Sequence, residues 1–313
     1  MIAAVAGAAD WANVANAANV ANAANAADSC RRRLSLAVIG AVVCAGAAYA
    51  PAALAQAPRA PRRSDDFGGG GGEVPWVPTP DDMLDILLQL ARVGPGDLVC
   101  DLGSGDGRIP IHAARRYGAR GLGVEIDPVM VANAWRNAQR AGVAERVRFI
   151  EGDLFETDFS AATVITLYLL THMNDRLRPK LLSLRPGTRI VAHNFGMNDW
   201  DADQVVFHNE TRALLWYVPA RVDGVWRLAF EASSERLTLT VIQNYQKISG
   251  EVFFGNSPRT LRNPEVRGDR VRFAAEDPNG RVWSFHGRAD GALIRGFATD
   301  GVAQRRFTAQ RAT

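Results

Sequence analysis

Between residues 98 and 194, short apolar runs alternate with longer segments in which apolar residues recur every three or four positions. Short runs of this kind are typical of buried strands, and the recurrence is typical of amphipathic helices. Their alternation predicts a parallel, doubly wound α/β sheet. The predicted strands are 98–102, 121–125, 147–151, 164–168 and 188–194, and the predicted helices are 108–117, 128–141 and 174–184.

A further helix is predicted ahead of the first strand. Thr79 is a favourable N-cap residue, and Pro80 suits the first helical position. The sequence Gly94-Pro95-Gly96 would end this helix. The folded part of the chain is therefore expected to start near Val74, and the first domain is predicted to span 74–220.

From residue 223 to 313 the pattern changes to short runs in which apolar and polar residues alternate between Gly, Asn-Gly and Asp-Gly turns. This pattern predicts an antiparallel, all-β domain of about seven or eight strands without a helix. Closure into a small barrel would remove its exposed edges. Gly224 and Trp226 loosely resemble the opening of lipocalin-like barrels, although a core residue at the barrel floor is the better explanation of Trp226. Such a barrel could hold a ligand or present a target protein.

The first 73 residues read as targeting and linking segments. Residues 1–29 are a low-complexity run of Ala and Asn, typical of a disordered extension or of an over-long gene model. Three arginines and the apolar run 34–48 then lead to Ala53-Leu54-Ala55, the layout of a signal peptide cleaved after Ala55. A retained membrane anchor is the alternative. Residues 56–73 are a flexible linker.

These segments predict a protein that is exported or anchored in the inner membrane. If the start of the gene has been assigned too far upstream and the leader is not translated, a cytoplasmic protein is expected instead. The 313 residues carry a net charge of +3, with 47% hydrophobic and 22% charged residues. The arginines are dispersed along the sequence without interleaved stacking aromatics, so the composition does not require a nucleic-acid partner. Cys30 and Cys44 lie in the leader, which leaves Cys100 alone in the folded part and excludes an internal disulfide framework.

The stretch VCDLGSGDGR, residues 99–108, carries three alternating glycines between the first strand and the next helix. Glycines in this arrangement indicate a sharp main-chain turn and the close approach of a ligand. In doubly wound sheets ligands bind beyond the carboxyl ends of the strands. Dinucleotide sites use the spacing Gly-x-Gly-x-x-Gly, whereas the spacing here is Gly-x-Gly-x-Gly. Asp101 and Asp106 would repel a pyrophosphate but would suit a cofactor that carries an ammonium and a sulfonium.

Two acids follow at the ends of the next strands. Glu125 ends the second strand, where a carboxylate can accept hydrogen bonds from both hydroxyls of a ribose. Asp153 follows the third strand, where it can accept from an adenine amino group while Leu154 packs on the ring. Asp106 and Asp153 are also explained as helix caps.

This order of motifs resembles the class I S-adenosylmethionine (SAM) dependent methyltransferases over residues 74–218. The stretches VPWVPTP, DLGSGDGRI and LRPKLLSLRPGTRIVAHNF are similar to the membrane-anchored protein-lysine methyltransferases of mitochondria and their bacterial relatives. The resemblance implies a seven-stranded Rossmann-like sheet whose last two strands, 205–209 and 212–218, form an antiparallel hairpin. It also implies SAM as cofactor, no metal, and a protein lysine as the methyl acceptor, with a small molecule as the alternative.

By the same resemblance, Asp101 should hold the methionyl amino group, Glu125 the ribose, and Asp153 and Leu154 the adenine. Thr79 would cover the cofactor. The methionyl end would be received by the loop residues Gly103, Ser104, Gly105 and Gly107.

Tyr168, after the fourth strand, is the candidate for lining the methyl channel, with a core aromatic as the alternative. His172 and His193 are expected to be hydrogen-bonded histidines rather than catalytic bases. Two other functions stay open. One is a non-catalytic SAM-fold protein whose β domain binds a ligand outside the cytoplasm, and the other is a nucleotide-dependent oxidoreductase, disfavoured by the glycine spacing.

Overall fold

Seven strands form the first sheet, in the order β3-β2-β1-β4-β5-β7-β6. The computed structural model describes residues 77–312, so the predicted leader and linker lie outside the described residues. Strands β1 to β5 are parallel, and β7 runs antiparallel to both β5 and β6. This confirms the predicted fold class. The strands are β1 Leu98–Leu102, β2 Arg120–Glu125, β3 Val147–Glu151, β4 Val164–Leu167, β5 Arg189–His193, β6 Gln204–His208 and β7 Thr211–Tyr217.

Four α-helices connect or cover these strands: α1 Asp81–Leu90, α2 Arg108–Tyr117, α3 Pro128–Arg140 and α4 Thr171–Leu182. Apolar residues of α1 and α2 form one cluster on the sheet, and apolar residues of α3 contribute to another. Within residues 77–312 no helix is both long enough and apolar enough to cross a membrane.

The start of α1 differs from the prediction. Pro80, rather than Thr79, is the N-cap residue, and no side chain caps the helix. The Pro80 carbonyl accepts hydrogen bonds from the amides of Met83 and Leu84 instead. Thr79 is buried, and its carbonyl accepts from Arg108 of α2. Thr79 therefore lies one residue before the N-cap position, and its carbonyl joins this segment to α2.

Two boundaries near the predicted acceptor side also differ. Strand β4 ends at Leu167, so Tyr168 is the first residue of the following loop. Helix α4 begins at Thr171 rather than at 174, because the carbonyl of its N-cap residue Leu170 accepts from the amides of Met173 and Asn174.

Nine strands form the second sheet, more than the predicted seven or eight, in the order β11-β10-β9-β8-β16-β15-β14-β13-β12. The two edge strands, β11 and β12, are separated only by Leu261, which brings the edges of this antiparallel sheet together into a near-barrel. The sequence of β11, SPRT, contains a proline and polar residues typical of a turn. The strands are β8 Gly224–Phe230, β9 Arg236–Asn244, β10 Lys247–Phe254, β11 Ser257–Thr260, β12 Arg262–Arg267, β13 Arg270–Glu276, β14 Val282–Asp290, β15 Leu293–Thr299 and β16 Gln304–Arg311.

Large side chains fill the interior of the near-barrel. Trp226 is fully buried, and its indole nitrogen donates to the Val222 carbonyl at 2.8 Å. The rings of Phe273 and Phe285 stack with centroids 4.6 Å apart, and Phe307 packs edge-on against Phe285. Trp226 is thus a core residue, and the interior holds side chains where a lipocalin-like barrel would hold a ligand.

The near-barrel packs against the amino-terminal edge of the first sheet, which is the side at which the parallel strands begin. Ala220, just beyond the end of β7, donates its amide to the Gly268 carbonyl at 2.8 Å. The Trp200 indole, in the loop before β6, donates to the Gln246 side chain at 2.9 Å. Both loops lie beside the starts of the parallel strands, since Tyr217 pairs with Arg189 at the beginning of β5. The carboxyl ends of the strands therefore face away from the second sheet.

We predict that Gly296→Ala destabilises the β domain by about 3 kcal/mol or more, because overpacking against backbone cannot be relieved by a side-chain rotation. A Cβ at Gly296 would lie 1.9 Å from the His286 carbonyl oxygen and 2.6 Å from the Gly287 Cα. Urea denaturation measures the free energy of unfolding. Gly96→Ala is the control, since nothing lies within 4 Å of a Cβ there, and an equal effect of both changes would contradict the prediction.

Candidate functional site

The loop after β1 adopts a conformation that favours glycine. Gly103, Gly105 and Gly107 have positive φ angles of 79°, 51° and 79°. Glycine adopts such angles readily, whereas residues with a Cβ atom disfavour them. The amides of Gly103 and Ser104 donate to the Val124 carbonyl at 2.9 and 3.0 Å. The loop is thereby held against the end of β2, as the spacing of the motif predicts.

Ser104 is buried in this loop, and its hydroxyl oxygen has no hydrogen-bond partner within residues 77–312. It fits above β2 because Gly123 lacks a side chain: a Cβ there would lie 2.5 Å from the Ser104 oxygen. A buried hydroxyl without a partner costs stability. The glycine loop therefore retains hydrogen-bonding capacity that the described chain does not use.

Asp101 lies at the end of β1 and is only 4% exposed. Its Oδ1 accepts a hydrogen bond of 2.6 Å from the Thr166 hydroxyl of β4. Burial raises the pKa of Asp101 to about 7, the Thr166 hydrogen bond opposes this shift, and the negative charges of Glu125 and Asp106 add to it. A cation placed beside Asp101 would favour the ionised form. The site therefore fits an ammonium group.

Glu125 links the glycine loop to the loop after β2. Its Oε2 accepts from the Gly105 amide at 2.8 Å, and its Oε1 accepts from the amides of Ile126 and Asp127 at 2.9 and 3.1 Å. Glu125 thus stands beside the glycines, where the ribose contact is predicted. It also has a structural role that the sequence motif does not reveal.

Asp153 follows β3 in a tight turn. Its Oδ1 accepts from the Phe155 amide at 2.8 Å, and its carbonyl accepts from the Thr157 hydroxyl at 2.8 Å. Between β3 and β4 the structure contains no helix for Asp153 to cap. Leu154 beside it is half-buried. Asp153 and Leu154 both lie beyond the carboxyl end of β3, which is the neighbour of β2 in the sheet.

Arg108, which sequence reasoning did not single out, joins two of the candidates. Its guanidinium binds both carboxylate oxygens of Asp106 at 3.0 and 2.9 Å and donates to the Thr79 carbonyl at 2.9 Å. The amide of Arg108 also approaches Asp106 at 3.3 Å. Asp106 therefore acts at the start of α2, and Thr79 lies beside the same turn. The sequence signal for these contacts is the position of Arg108 directly after Gly107, the last glycine of the loop.

Tyr168 and His193 lie together at the ends of β4 and β5. Their ring centroids are 4.0 Å apart, and the Phe195 ring stacks on Tyr168 with centroids 6.2 Å apart. His193 is 1% exposed, and neither ring nitrogen has a hydrogen-bond partner within the described chain. The expectation that His193 is a hydrogen-bonded histidine is therefore wrong. Burial lowers its pKa, so the imidazole is neutral near pH 7.

The turn that follows His193 is strained. Asn194 has a positive φ of 65°, a conformation that non-glycine residues adopt rarely and that occurs often at functional sites. Its amide donates to the Arg212 carbonyl at 2.7 Å, and its own carbonyl accepts from the Arg212 side chain at 3.0 Å. This support from β7 turns Phe195 back towards Tyr168.

Asn174 of α4 connects the loops that carry these aromatic residues. The side chain is fully buried, and its amide nitrogen lies 3.2, 3.1 and 3.3 Å from the carbonyl oxygens of Leu169, Phe195 and Gly196. One amide group thus holds the loop after β4 against the loop after β5. The sequence THMND gives no signal for this role, because two of the contact partners are about 20 residues away.

A comparison with protein families matches residues 101–204 to the ANTKMT methyltransferase domain. The chain is also 43% identical over 135 residues to a protein-lysine N-methyltransferase of Saccharolobus islandicus (strain REY15A), a match that covers 42% of this chain and 84% of that protein. The chain belongs to the family of SAM-dependent protein-lysine methyltransferases. The family match ends at residue 204, before the near-barrel begins at Gly224.

Other relatives differ in the acceptor for which they are named. The methyltransferase is 34% identical over 136 residues to the adenine nucleotide translocase lysine N-methyltransferase of Mus musculus, and the match spans 43% of this chain and 58% of the mouse protein. A solved RNA methyltransferase from Salinibacter ruber, in complex with S-adenosyl-L-homocysteine, is 51% identical. That match covers 47% of this chain and 96% of that chain, with a TM-score of 0.46.

We predict that the methyltransferase binds SAM about tenfold more weakly at pH 6 than at pH 7.5, because a carboxyl group with a pKa near 7 must ionise to bind an ammonium. Affinity is then full above the raised pKa and falls as the pH drops through it. Calorimetric titration at each pH measures the dissociation constant. In Asp101→Asn, which retains an acceptor for Thr166, the affinity should be lower and nearly independent of pH; an unchanged pH profile would contradict the assignment.

We also predict that Asn174→Ala lowers kcat about tenfold or more while the SAM dissociation constant changes little, since misplaced loops cost catalysis through lost orientation. The residues at the ends of β1 to β3 are not bonded to Asn174, whereas three carbonyls of the loops after β4 and β5 are. Steady-state kinetics and calorimetry separate the two effects. Asn198→Ala, which removes an exposed contact to Asp175, is the control and should retain wild-type kcat.

Proposed function

We propose that this methyltransferase transfers the methyl group of SAM to the side-chain amino group of a protein lysine. The observation that carries the proposal is the 43% identity over 84% of a protein-lysine N-methyltransferase. The buried Asp101 and the glycine loop supply the chemistry expected for a cationic cofactor, and a separate aromatic region lies beside them.

The proposed contacts to SAM divide among three strand ends. Asp101 holds the methionyl ammonium group, and the loop from Gly103 to Gly107 surrounds the methionyl end. Glu125 accepts from the ribose hydroxyls. Asp153 and Leu154 hold the adenine, with Thr79 covering the cofactor from the side of α1. When bound, SAM supplies a methyl group that is already activated by its positively charged sulfur, so the protein mainly aligns the acceptor and excludes water.

The lysine acceptor must lose a proton before it can act as a nucleophile, because its ordinary pKa is about 10.4. Transfer from water to the aromatic region around Tyr168 and Phe195 disfavours the charged ammonium and so lowers that pKa. His193, neutral and without a hydrogen-bond partner in the described chain, offers a nitrogen that can accept a proton or a hydrogen bond. Tyr168 is proposed to line the path of the methyl group.

The two alternatives receive less support. A ligand held inside the β domain, as in a lipocalin-like barrel, needs an interior cavity, yet Trp226, Phe285 and Phe307 fill the interior of the near-barrel. A nucleotide-dependent oxidoreductase would place a pyrophosphate beside Asp101, whose burial already makes a second negative charge costly.

The expected result of labelling with tritiated-methyl SAM is methyl-lysine. The purified chain, added to a cell lysate, should transfer label to protein, and acid hydrolysis followed by amino-acid analysis should recover methylated lysine. Asp101→Ala should abolish the label, because the buried cation site is lost. Label that is sensitive to ribonuclease, or that appears only in small molecules, would overturn the lysine assignment.

A further inference from the structure

Strand register brings four arginines of the β domain into one row. Arg267 pairs with Arg270, Arg270 with Arg288, and Arg288 with Arg295, across the neighbouring strands β12 to β15. Directly paired residues point to the same face of a sheet. All four are exposed. Arginines that are dispersed along the sequence therefore form a continuous arginine row on the outer face of the near-barrel.

The chain neutralises this row only in part. Arg288 forms an ion pair of 2.7 Å with Asp269, and the guanidinium of Arg267 lies 4.3 Å over the Tyr217 ring. Within residues 77–312 the side chains of Arg270 and Arg295 form neither a hydrogen bond nor an ion pair. Like charges placed directly opposite each other destabilise a sheet. The folded chain therefore retains a repulsion that an anionic partner would relieve.

The surface around the row is concave. A groove of about 560 Å³ runs along it and includes His286 and Phe297. Arg288 and Arg295 also line a larger cleft of about 1810 Å³, to which Arg185 of the first domain contributes. The arginine row thus continues from the outer face of the near-barrel into the cleft between the two sheets.

We propose that the arginine row binds an acidic segment of the protein substrate. The proposal rests on the proposed function, because it assigns a docking site to the same protein acceptor. Guanidinium groups bind carboxylates in a planar, two-pronged geometry, and this surface already pairs Arg272 with Glu265 and Arg262 with Glu276. An extended peptide can follow a groove that crosses the strands.

Two other anionic partners fit less well. A bilayer surface is flat on this scale, whereas the arginines line a groove and a cleft. Single-stranded nucleic acid is bound by series of stacking aromatics beside basic residues. Here Phe297 is the one exposed aromatic of the groove, and its ring is already stacked on His286 with centroids 5.1 Å apart.

The docking site lies far from the methyl-transfer site. The near-barrel contacts the amino-terminal edge of the first sheet, and the glycine loop lies at the opposite edge. A strand of five residues such as β1 spans roughly 17 Å at about 3.3 Å per residue. An acidic segment bound to the row must therefore be separated from the target lysine by at least this distance in the folded substrate.

The test compares Arg270→Gln/Arg295→Gln with the wild type. Fluorescently labelled decaglutamate is the probe, and the double variant should bind it between about threefold and tenfold more weakly, as expected for the loss of two exposed ion pairs. The KM for lysate protein, measured with tritiated-methyl SAM, should rise by a similar factor. Arg227→Gln/Arg259→Gln removes the same charge from β8 and β11 and should bind the probe as the wild type does.

Thermal denaturation separates docking from a structural role. Because the two arginines only repel their neighbours, the double variant should unfold at the same or a higher temperature, and SAM calorimetry should report an intact first domain. Equal loss of probe binding in both double variants, or preferential binding of decauridylate or of phosphatidylglycerol vesicles, would overturn the proposal. Failure of methyl-lysine formation by the wild type would instead overturn the proposed function.

Discussion

The carboxylate of Asp101 is the group on which the site depends, because it is buried and the negative charges of Glu125 and Asp106 add to the cost of ionising it. Between the ordinary carboxyl pKa and about 7, the folded protein holds a proton that the unfolded chain has released. Folding therefore becomes less favourable as the pH rises through this range. An ammonium group beside Asp101 reverses the effect, since it compensates the buried charge. The same buried carboxylate thus lowers the stability of the free protein as the pH rises and favours a cation beside it.

Hydrogen bonds connect Asp101 and the glycine loop to the neighbouring strands, including the strand that Tyr168 directly follows. Thr166 joins Asp101 to β4, two residues before Tyr168, while Glu125 ties the glycine loop to β2. Asn174 then holds the loop after β4 against the loop after β5. The proposed cofactor contacts and acceptor contacts are therefore built on neighbouring strand ends that share hydrogen bonds. Such rigid support matters for an alkyl transfer, in which alignment supplies much of the rate.

The sequence predicts what depends on local pattern. Alternating apolar runs and the glycine spacing are local, so they place the five parallel strands and the loop around Gly103 correctly. Asn174 could not be found this way, because its partners meet it only after α4 and β5 are packed. His193 is a similar case: its type suggests a hydrogen-bonded side chain, and only the packed structure leaves both nitrogens without partners in the described chain. The arginine row depends on the register of four strands, which single-sequence patterns do not determine.

The choice of arginine over lysine on the docking surface has a chemical consequence. Of the 36 basic residues, only Lys180 and Lys247 are lysines. Lys180 donates to the carbonyls of Phe155 and Thr157 and is half-buried, and Lys247 is paired with Asp201. An enzyme that methylates lysine amino groups would modify a docking surface made of lysines, in itself or in a neighbouring copy. Methylation would leave the charge of such lysines but remove their N–H donors, whereas a surface of guanidinium groups keeps its donors for carboxylates beside that chemistry.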